Sequence, residues 1–169
     1  DAMDHGFALI TEERKANGLF LKGDITFNTT IANMKHYKSG VALSHDKMVR
    51  ATAEEIKIMH TKCMGPDDMI ANLSGGNQQK VVLARWLATH PKILILNGPT
   101  VGVDIGAKYD IHKLLRELAK QGMAVLVVSD DVAEITALCD RALIMKAGSM
   151  TGEFKGEDLT DDNLYKSTI

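Results

Sequence analysis

The chain has 169 residues, 45% hydrophobic and 25% charged, which suits one soluble globular domain with room for a core. Its net charge of −2 gives no electrostatic case for nucleic acid or an anionic membrane surface as partner. No apolar run approaches the ~20 residues that span a bilayer, and no secretory leader is visible. The two cysteines, Cys63 and Cys139, lack metal-ligand spacing and are expected as reduced, half-buried thiols.

The sequence opens at Asp1 without an initiator Met, and strand-like residues, Phe7 to Ile10, follow at once; a fragment of a longer polypeptide is expected. A charged loop follows, Thr11 to Asn17. From about Ile25 to Ala71 the chain is rich in Met, Lys and His, with a helical apolar rhythm at Val49, Ala53, Ile56 and His60 or Met59. Asp46 is the expected N-cap of that helix and Gly65-Pro66 its end. The Met residues read as core filling, with a partner-facing surface as the other reading.

From Leu73 the pattern turns α/β. The spacing predicts a helix from about Gly75 to Thr89, stopped by His90-Pro91, and a strand over Ile93 to Leu96. A helix from about Ala107 to Lys120 ends at Gln121-Gly122, and Met123 to Val128 forms the next strand. A helix over about Val132 to Leu138, a strand at Ala142 to Met145, a turn at Ala147-Gly148 and a strand near Met150 to Phe154 complete the series. Apolar strands alternating with helices predict a mainly parallel sheet covered on both faces. The polar tail, Lys155 to Ile169, is expected to close with a short helix.

LSGGNQQK, Leu73 to Lys80, is the most informative stretch. Ser74 suits a helix cap, and Gly75 and Gly76 let another backbone or a phosphate come close. The first-turn amides and the helix dipole then form an anion site. Taken alone, the same residues also read as a Gly-rich helix start that binds nothing.

The longer run LSGGNQQKVVLARWLATHPKILIL resembles the signature helix and following strand of ABC-type ATPases. GPTVGVD, the strand MAVLVVS and DRALIMKAG follow in the order that family has. NQQK with the downstream GAKYDIHKLL is similar to the second ATP-binding cassette of sugar-importer ATPases, those of the ribose, galactose and xylose type. ITEERKANGLF likewise resembles the VPEDRK…GLF segment of that cassette, so the likeness runs from Ala2 to about Phe154. It implies a P-loop NTPase-like α/β fold with a mainly parallel sheet flanked by helices, a helical subdomain, and an N-terminal part including Walker A that is absent. The implied partition is a core strand and Q-loop region over 1–24 and a helical subdomain over 25–72. Signature, Walker B, D-loop and H-loop core then occupy 73–154, and a tail 155–169.

In that family each site lies between two cassettes packed head to tail, which divides the motifs by the nucleotide they serve. The resemblance implies that those serving the chain's own nucleotide are degenerate. No GxxxxGK[ST] occurs; Asn97 stands for the Walker B Asp and Gly98 for the Glu that polarises water. Asp130 stands for the switch His, and a carboxylate there repels a γ-phosphate. Glu12 stands at the Q-loop position, as in the subgroup. Those serving a partner's nucleotide are kept: Ser74, Gly75, Gly76, Asn77, Gln78 and the D-loop Asp104, although Val101 replaces an Arg common in the subgroup.

Simpler readings stand beside these. Asn97 ends a strand and caps a turn, Gly98 gives the backbone freedom before Pro99, and Asp130 and Asp131 read as the N-cap and first turn of the next helix. Lys80, Arg85 and Lys92 read as solvated charges and Trp86 as packing; the six His show no metal spacing. The resemblance therefore implies a cassette of a sugar ABC importer that completes a partner's site and is inactive alone. ATP and Mg²⁺ are implied in the assembled transporter, with neither expected on this chain by itself. The implied partners are a second cassette, membrane permease subunits and, indirectly, a sugar-binding protein, at the cytoplasmic face of the membrane and without nucleic acid. The alternatives are an altered or truncated form of an active sugar-importer ATPase, a non-transport ABC-type ATPase acting on nucleic acid or ribosomes, and a purely structural role.

Overall fold

A computed structural model describes residues 2–168. Its core is a three-stranded parallel sheet of β1 (Phe7–Ile10), β4 (Ile93–Asn97) and β5 (Ala124–Val128), in the order β1-β4-β5. The register pairs Ile10 with Leu96 and Leu96 with Val127. Two helices make the crossovers, α3 (Gly75–Leu87) from β1 to β4 and α4 (Ile105–Lys120) from β4 to β5.

Strand order explains a departure from expectation. Each crossover steps in the same direction across the sheet, and right-handed crossovers stepping one way put their helices on one face. Ala8, Ile10, Leu94 and Leu96 point to that face and are buried with Val81, Val82, Leu83, Ile111, Leu115 and Leu138. The opposite face carries Phe7, Leu9, Leu126 and Val128, exposed by 39%, 48%, 53% and 52%. The expected two-sided cover is therefore present on one face only among the described residues.

The final strands form a separate antiparallel ribbon, β6 (Arg141–Lys146) and β7 (Ser149–Lys155). Ala147 and Gly148 both have positive φ, 50° and 79°, as a two-residue turn matched to strand twist requires. Helices α5 (Val132–Leu138) and α6 (Asp161–Thr168) pack on the ribbon through Val132, Ala142 and Leu164.

Between β1 and α3 lie α1 (Ile25–Thr30), a 3₁₀ segment (Ile31–Tyr37), the short hairpin strands β2 (Lys38–Ser39) and β3 (Ala42–Leu43), and α2 (His45–Ile58). Ser44, not Asp46, caps α2, accepting from the Lys47 amide. The helix also stops well before Gly65-Pro66. His60 turns left-handed at φ 49°, and the Thr61 amide donates to the Ile56 carbonyl, a six-to-one closure that releases the chain without glycine. Met48 and Met59 face the core as expected, whereas Met64 and Met69 are exposed.

Lys80 and Arg85 correct the reading of solvated charges: both are buried, while Lys92 is exposed. Helix α3 is enclosed by the sheet, α1 and α4, so its polar face must find partners inside the protein. Arg85 finds them in the Asn28 carbonyl and side chain and in the Gly18 carbonyl, and its guanidinium lies over the Phe20 ring. Burial pulls its pKa down to about 10, which leaves it charged at neutral pH. Lys80 donates to Asp110 on α4 and to the His60 carbonyl. Trp86 packs against the core, as expected.

The uncovered sheet face should drive self-association. At tens of micromolar the protein should sediment above its 18.4 kDa monomer mass, and Leu9→Lys with Leu126→Lys should return it toward monomer. Thermal stability should change by no more than about 0.5 kcal/mol per exposed position. Equal sedimentation of both proteins would count against this.

Candidate functional site

Helix α3 begins at the foot of the loop that follows β4. Ser74 is its N-cap, and its Oγ accepts from the Asn77 amide and, at 2.9 Å, from Asn77 Nδ2. With both acceptances made, the Ser74 hydroxyl proton is still available to donate outward, and Ser74 is exposed. Asn77 Oδ1 accepts from the Lys62 amide, so that side chain is committed to holding the turn.

The two glycines are needed for packing within the chain. A Cβ on Gly75 would lie 2.7 Å from the Gly102 carbonyl oxygen and 2.6 Å from Arg14 Nη2. A Cβ on Gly76 would lie 2.4 Å from Ala107 Cβ and 3.1 Å from Asp104 Oδ2. The signature start and the GVD turn are thus in direct contact. Asp104 caps α4, its Oδ1 accepting from the Ala107 amide at 3.0 Å, and is exposed beside the start of α3. Ser74, Gly75, Asn77 and Asp104 therefore lie together around the start of α3, with Gly76 buried against the Asp104 turn.

Gln78 does not join them. It is buried, its Nε2 donates to the Ile70 carbonyl at 3.1 Å, and its side chain points into the protein. Helical periodicity places residue 78 near the helix start, but the enclosed position of α3 turns it inward; its expected ligand role is corrected to packing.

The other group of positions lies at the strand ends. Asn97 is the exposed last residue of β4. Gly98 continues the ladder by donating to the Val128 carbonyl, then turns at φ 58°. A Cβ there would be 2.9 Å from both Glu12 Cγ and Val101 Cγ2, so Glu12 abuts this turn. Asp130 is exposed, and the cap of α5 is Asp131, which accepts from the Glu134 amide and pairs with Lys108. No group of three or more His, Cys, Asp or Glu able to hold a metal occurs among the described residues. The residues at 97 and 98 do not fit a Mg²⁺ site, and no step is assigned to that ion on this chain.

Two anchors were not foreseen in the sequence. Arg14 donates from Nη1 to the Val101 carbonyl at 2.6 Å and from Nη2 to the Gly102 carbonyl at 3.0 Å. Glu134, 2% exposed, accepts from Thr100 and Ser129 hydroxyls at 2.5 and 2.6 Å and contacts His112 Nε2 at 3.1 Å. It ties the loop after β4 to the loop after β5 and to α4. Burial alone would raise its carboxyl, but donation from Ser129, Thr100 and His112, with Lys108 nearby, outweighs that and holds it below the usual range. Asp131 followed three residues later by Glu134 is a capping-box pattern, which hides the inward role of the carboxylate.

The family model for the ABC transporter matches residues 8–101. The chain belongs to the ABC transporter family. Among curated relatives, the galactose/methyl galactoside import ATP-binding protein MglA of Treponema pallidum (strain Nichols) is 45% identical over 90% of this chain and 31% of its own length. MglA of Escherichia coli (strain K12) is 41% identical over 98% of this chain and 33% of its own. The chain spans about a third of the length of the curated relatives it matches. An ATP-binding cassette of an ABC transporter in its ADP conformation superposes with a TM-score of 0.74 at 20% identity, covering 93% of this chain and 64% of that one. A dimeric cassette in a post-hydrolysis state, bound to ADP and Pi, gives a TM-score of 0.71 at 25% identity, covering 90% and 65%. The fold is that of ABC ATPase cassettes, with parallel strands and flanking helices.

Glu134 gives a pH prediction. Its folded pKa lies below the unfolded ~4.3, so its contribution is complete above the unfolded value and lost as pH falls through the folded one. Glu134→Gln should destabilise the protein by about 1–3 kcal/mol at neutral pH and flatten the loss of stability below about pH 4. Urea unfolding across that range measures both; the same acid sensitivity in variant and parent would contradict the assignment.

Proposed function

We propose that the chain is a cassette segment of a sugar ABC importer that completes a nucleotide site on a partner cassette and does not hydrolyse ATP itself. The observation that carries this reading is that Ser74, Gly75 and Asp104 meet around the start of α3, with Ser74 and Asp104 exposed, while positions 97 and 98 supply neither acid nor base. The names of the relatives, galactose/methyl galactoside import ATP-binding proteins, support the sugar-import assignment, and the dimeric cassette among the structural neighbours supports a second cassette as partner. Membrane permease subunits and a sugar-binding protein complete the proposed assembly. None of the described helices is long and apolar enough to cross a membrane, and the proposed place is the cytoplasmic face, held by the permease.

On this reading ATP is held by the partner and supplies the phosphate chain. The residues here act on it from the open side. With the Asn77 amide held by Ser74, the Gly75 and Gly76 amides at the start of α3 have no acceptor within the helix, and the aligned dipoles favour an anion. The Ser74 hydroxyl adds a donor at the same end, already oriented by Asn77. Donors fixed before the partner arrives need no reorganisation as charge develops. Asp104 keeps the adjacent turn in register by capping α4. Gly75 and Gly76 keep both parts in contact. Glu12 abuts the turn at Gly98, and Asp130 lies exposed just beyond β5.

The purified chain should show no ATP turnover above background. Ser74→Arg in the complete transporter should lower turnover at the partner's site by about 100-fold or more, the usual scale for losing one oriented donor, and further where the long side chain blocks closure. Robust turnover by the isolated chain would refute the first part; undiminished turnover in the Ser74→Arg transporter would refute the second.

A further inference from the structure

Arg14 lies in the loop after β1, remote in sequence from both the signature and the GVD turn, yet it touches both. Its two terminal nitrogens donate to consecutive carbonyls, those of Val101 and Gly102. Its Nη2 lies 2.6 Å from where a Gly75 Cβ would stand, so the guanidinium fits only because residue 75 has no side chain. Gly102 itself is left-handed at φ 64°, so the two carbonyls belong to a turn and no sheet ladder serves them. A planar guanidinium matches two neighbouring acceptors at once; an ammonium presents its protons from one point.

The segment that delivers Arg14 is itself fixed. Residues Arg14–Gly18 form a single π-helical turn, a geometry that is rare and concentrated at functional sites. At its far end the Gly18 carbonyl accepts from the buried Arg85 at 2.6 Å. One end of the turn is thus anchored to the body of α3 and the other reaches the turn that meets the start of α3. Burial lowers the Arg14 pKa, yet its partners are neutral carbonyls, so no carboxylate pairing explains its place.

We infer that Arg14 is a positioning residue: it sets the spacing between the GVD turn and the signature start, so that Ser74 and Asp104 are presented together. This rests on the proposed function, because presentation matters only if a partner's nucleotide closes on that surface. Arg14 acts through the turn, with both terminal nitrogens committed to its carbonyls.

Two readouts test it, and they separate its failure from that of the functional proposal. In the chain alone, Arg14→Met should speed amide hydrogen exchange at Val101 and Val103, whose amides close the turn onto Gly98 and Thr100. Arg14→Lys should fall between. In the complete transporter, Arg14→Met should lower kcat about tenfold, the scale of losing a charged hydrogen-bond pair. KM for ATP should stay within about twofold and the melting temperature within a few degrees, as a purely structural role would not predict. Unchanged exchange in Arg14→Met overturns the clamp, whatever turnover does. Faster exchange with unchanged kcat, while Ser74→Arg abolishes turnover, overturns its role in presentation. Full rescue by Arg14→Lys also overturns it, because one point charge would then suffice. A Ser74→Arg transporter with normal turnover overturns the functional proposal, and the presentation role with it; the exchange measurement then decides the clamp alone.

Discussion

The arrangement depends on the absence of side chains at two positions. Where α3 begins, Gly75 and Gly76 let the GVD turn and the first turn of α4 come within van der Waals range of the helix backbone. A methyl group at either position would meet a carbonyl oxygen or another methyl far inside contact distance, and the helices would have to separate. Helix α3 cannot move freely to make room. Val81, Val82, Leu83 and Ala84 are buried in the main core, and Arg85 is bound to Gly18 and Asn28. The steric gap at its start therefore fixes how the sheet, the middle segment and the turn after β4 fit together.

Three buried or half-buried charges then hold the irregular segments. Arg85 serves the carbonyls of Gly18 and Asn28, Arg14 those of Val101 and Gly102, and Glu134 the hydroxyls of Thr100 and Ser129. In each case the charged group gathers several neutral partners. Loops carry backbone and hydroxyl groups that no ladder can satisfy, and one polydentate ion satisfies two or three of them at once. Burying the ion is costly by itself, and those bonds offset the loss of water.

Much of this was legible in the sequence because it is local. Ser74 before two glycines marks a helix start, His90-Pro91 a stop, and Ala147-Gly148 a hairpin turn, and each lies where its chemistry requires. Legibility failed where a property depends on what packs outside the segment. Lys80, Gln78 and Arg85 look like an exposed polar face in a helix of that composition, and only the enclosure of α3 turns them inward. The runs at Phe7–Ile10 and Ala124–Val128 look buried on both sides, since their residues on the two faces are equally apolar; strand order decides which side receives helices. Arg14 and Glu134 act on residues dozens of positions away, Val101 and Thr100, and nothing in their own neighbourhoods signals it. The end of α2 is hidden in the sequence because His60 adopts the left-handed turn expected of glycine.

Gly98 limits what the loop after β4 can accept. Its backbone lies in the left-handed region, and the space beside it is taken by Glu12 and Val101. A residue with a Cβ costs about 1–2 kcal/mol in that conformation before any crowding is counted. An acid at this position would need a differently shaped loop, because Glu12 and Val101 fill the space a side chain would enter. Installing one would therefore take compensating changes at those two neighbours as well. The shape of the loop ties three side chains into one choice, so position 98 cannot be varied by itself without strain.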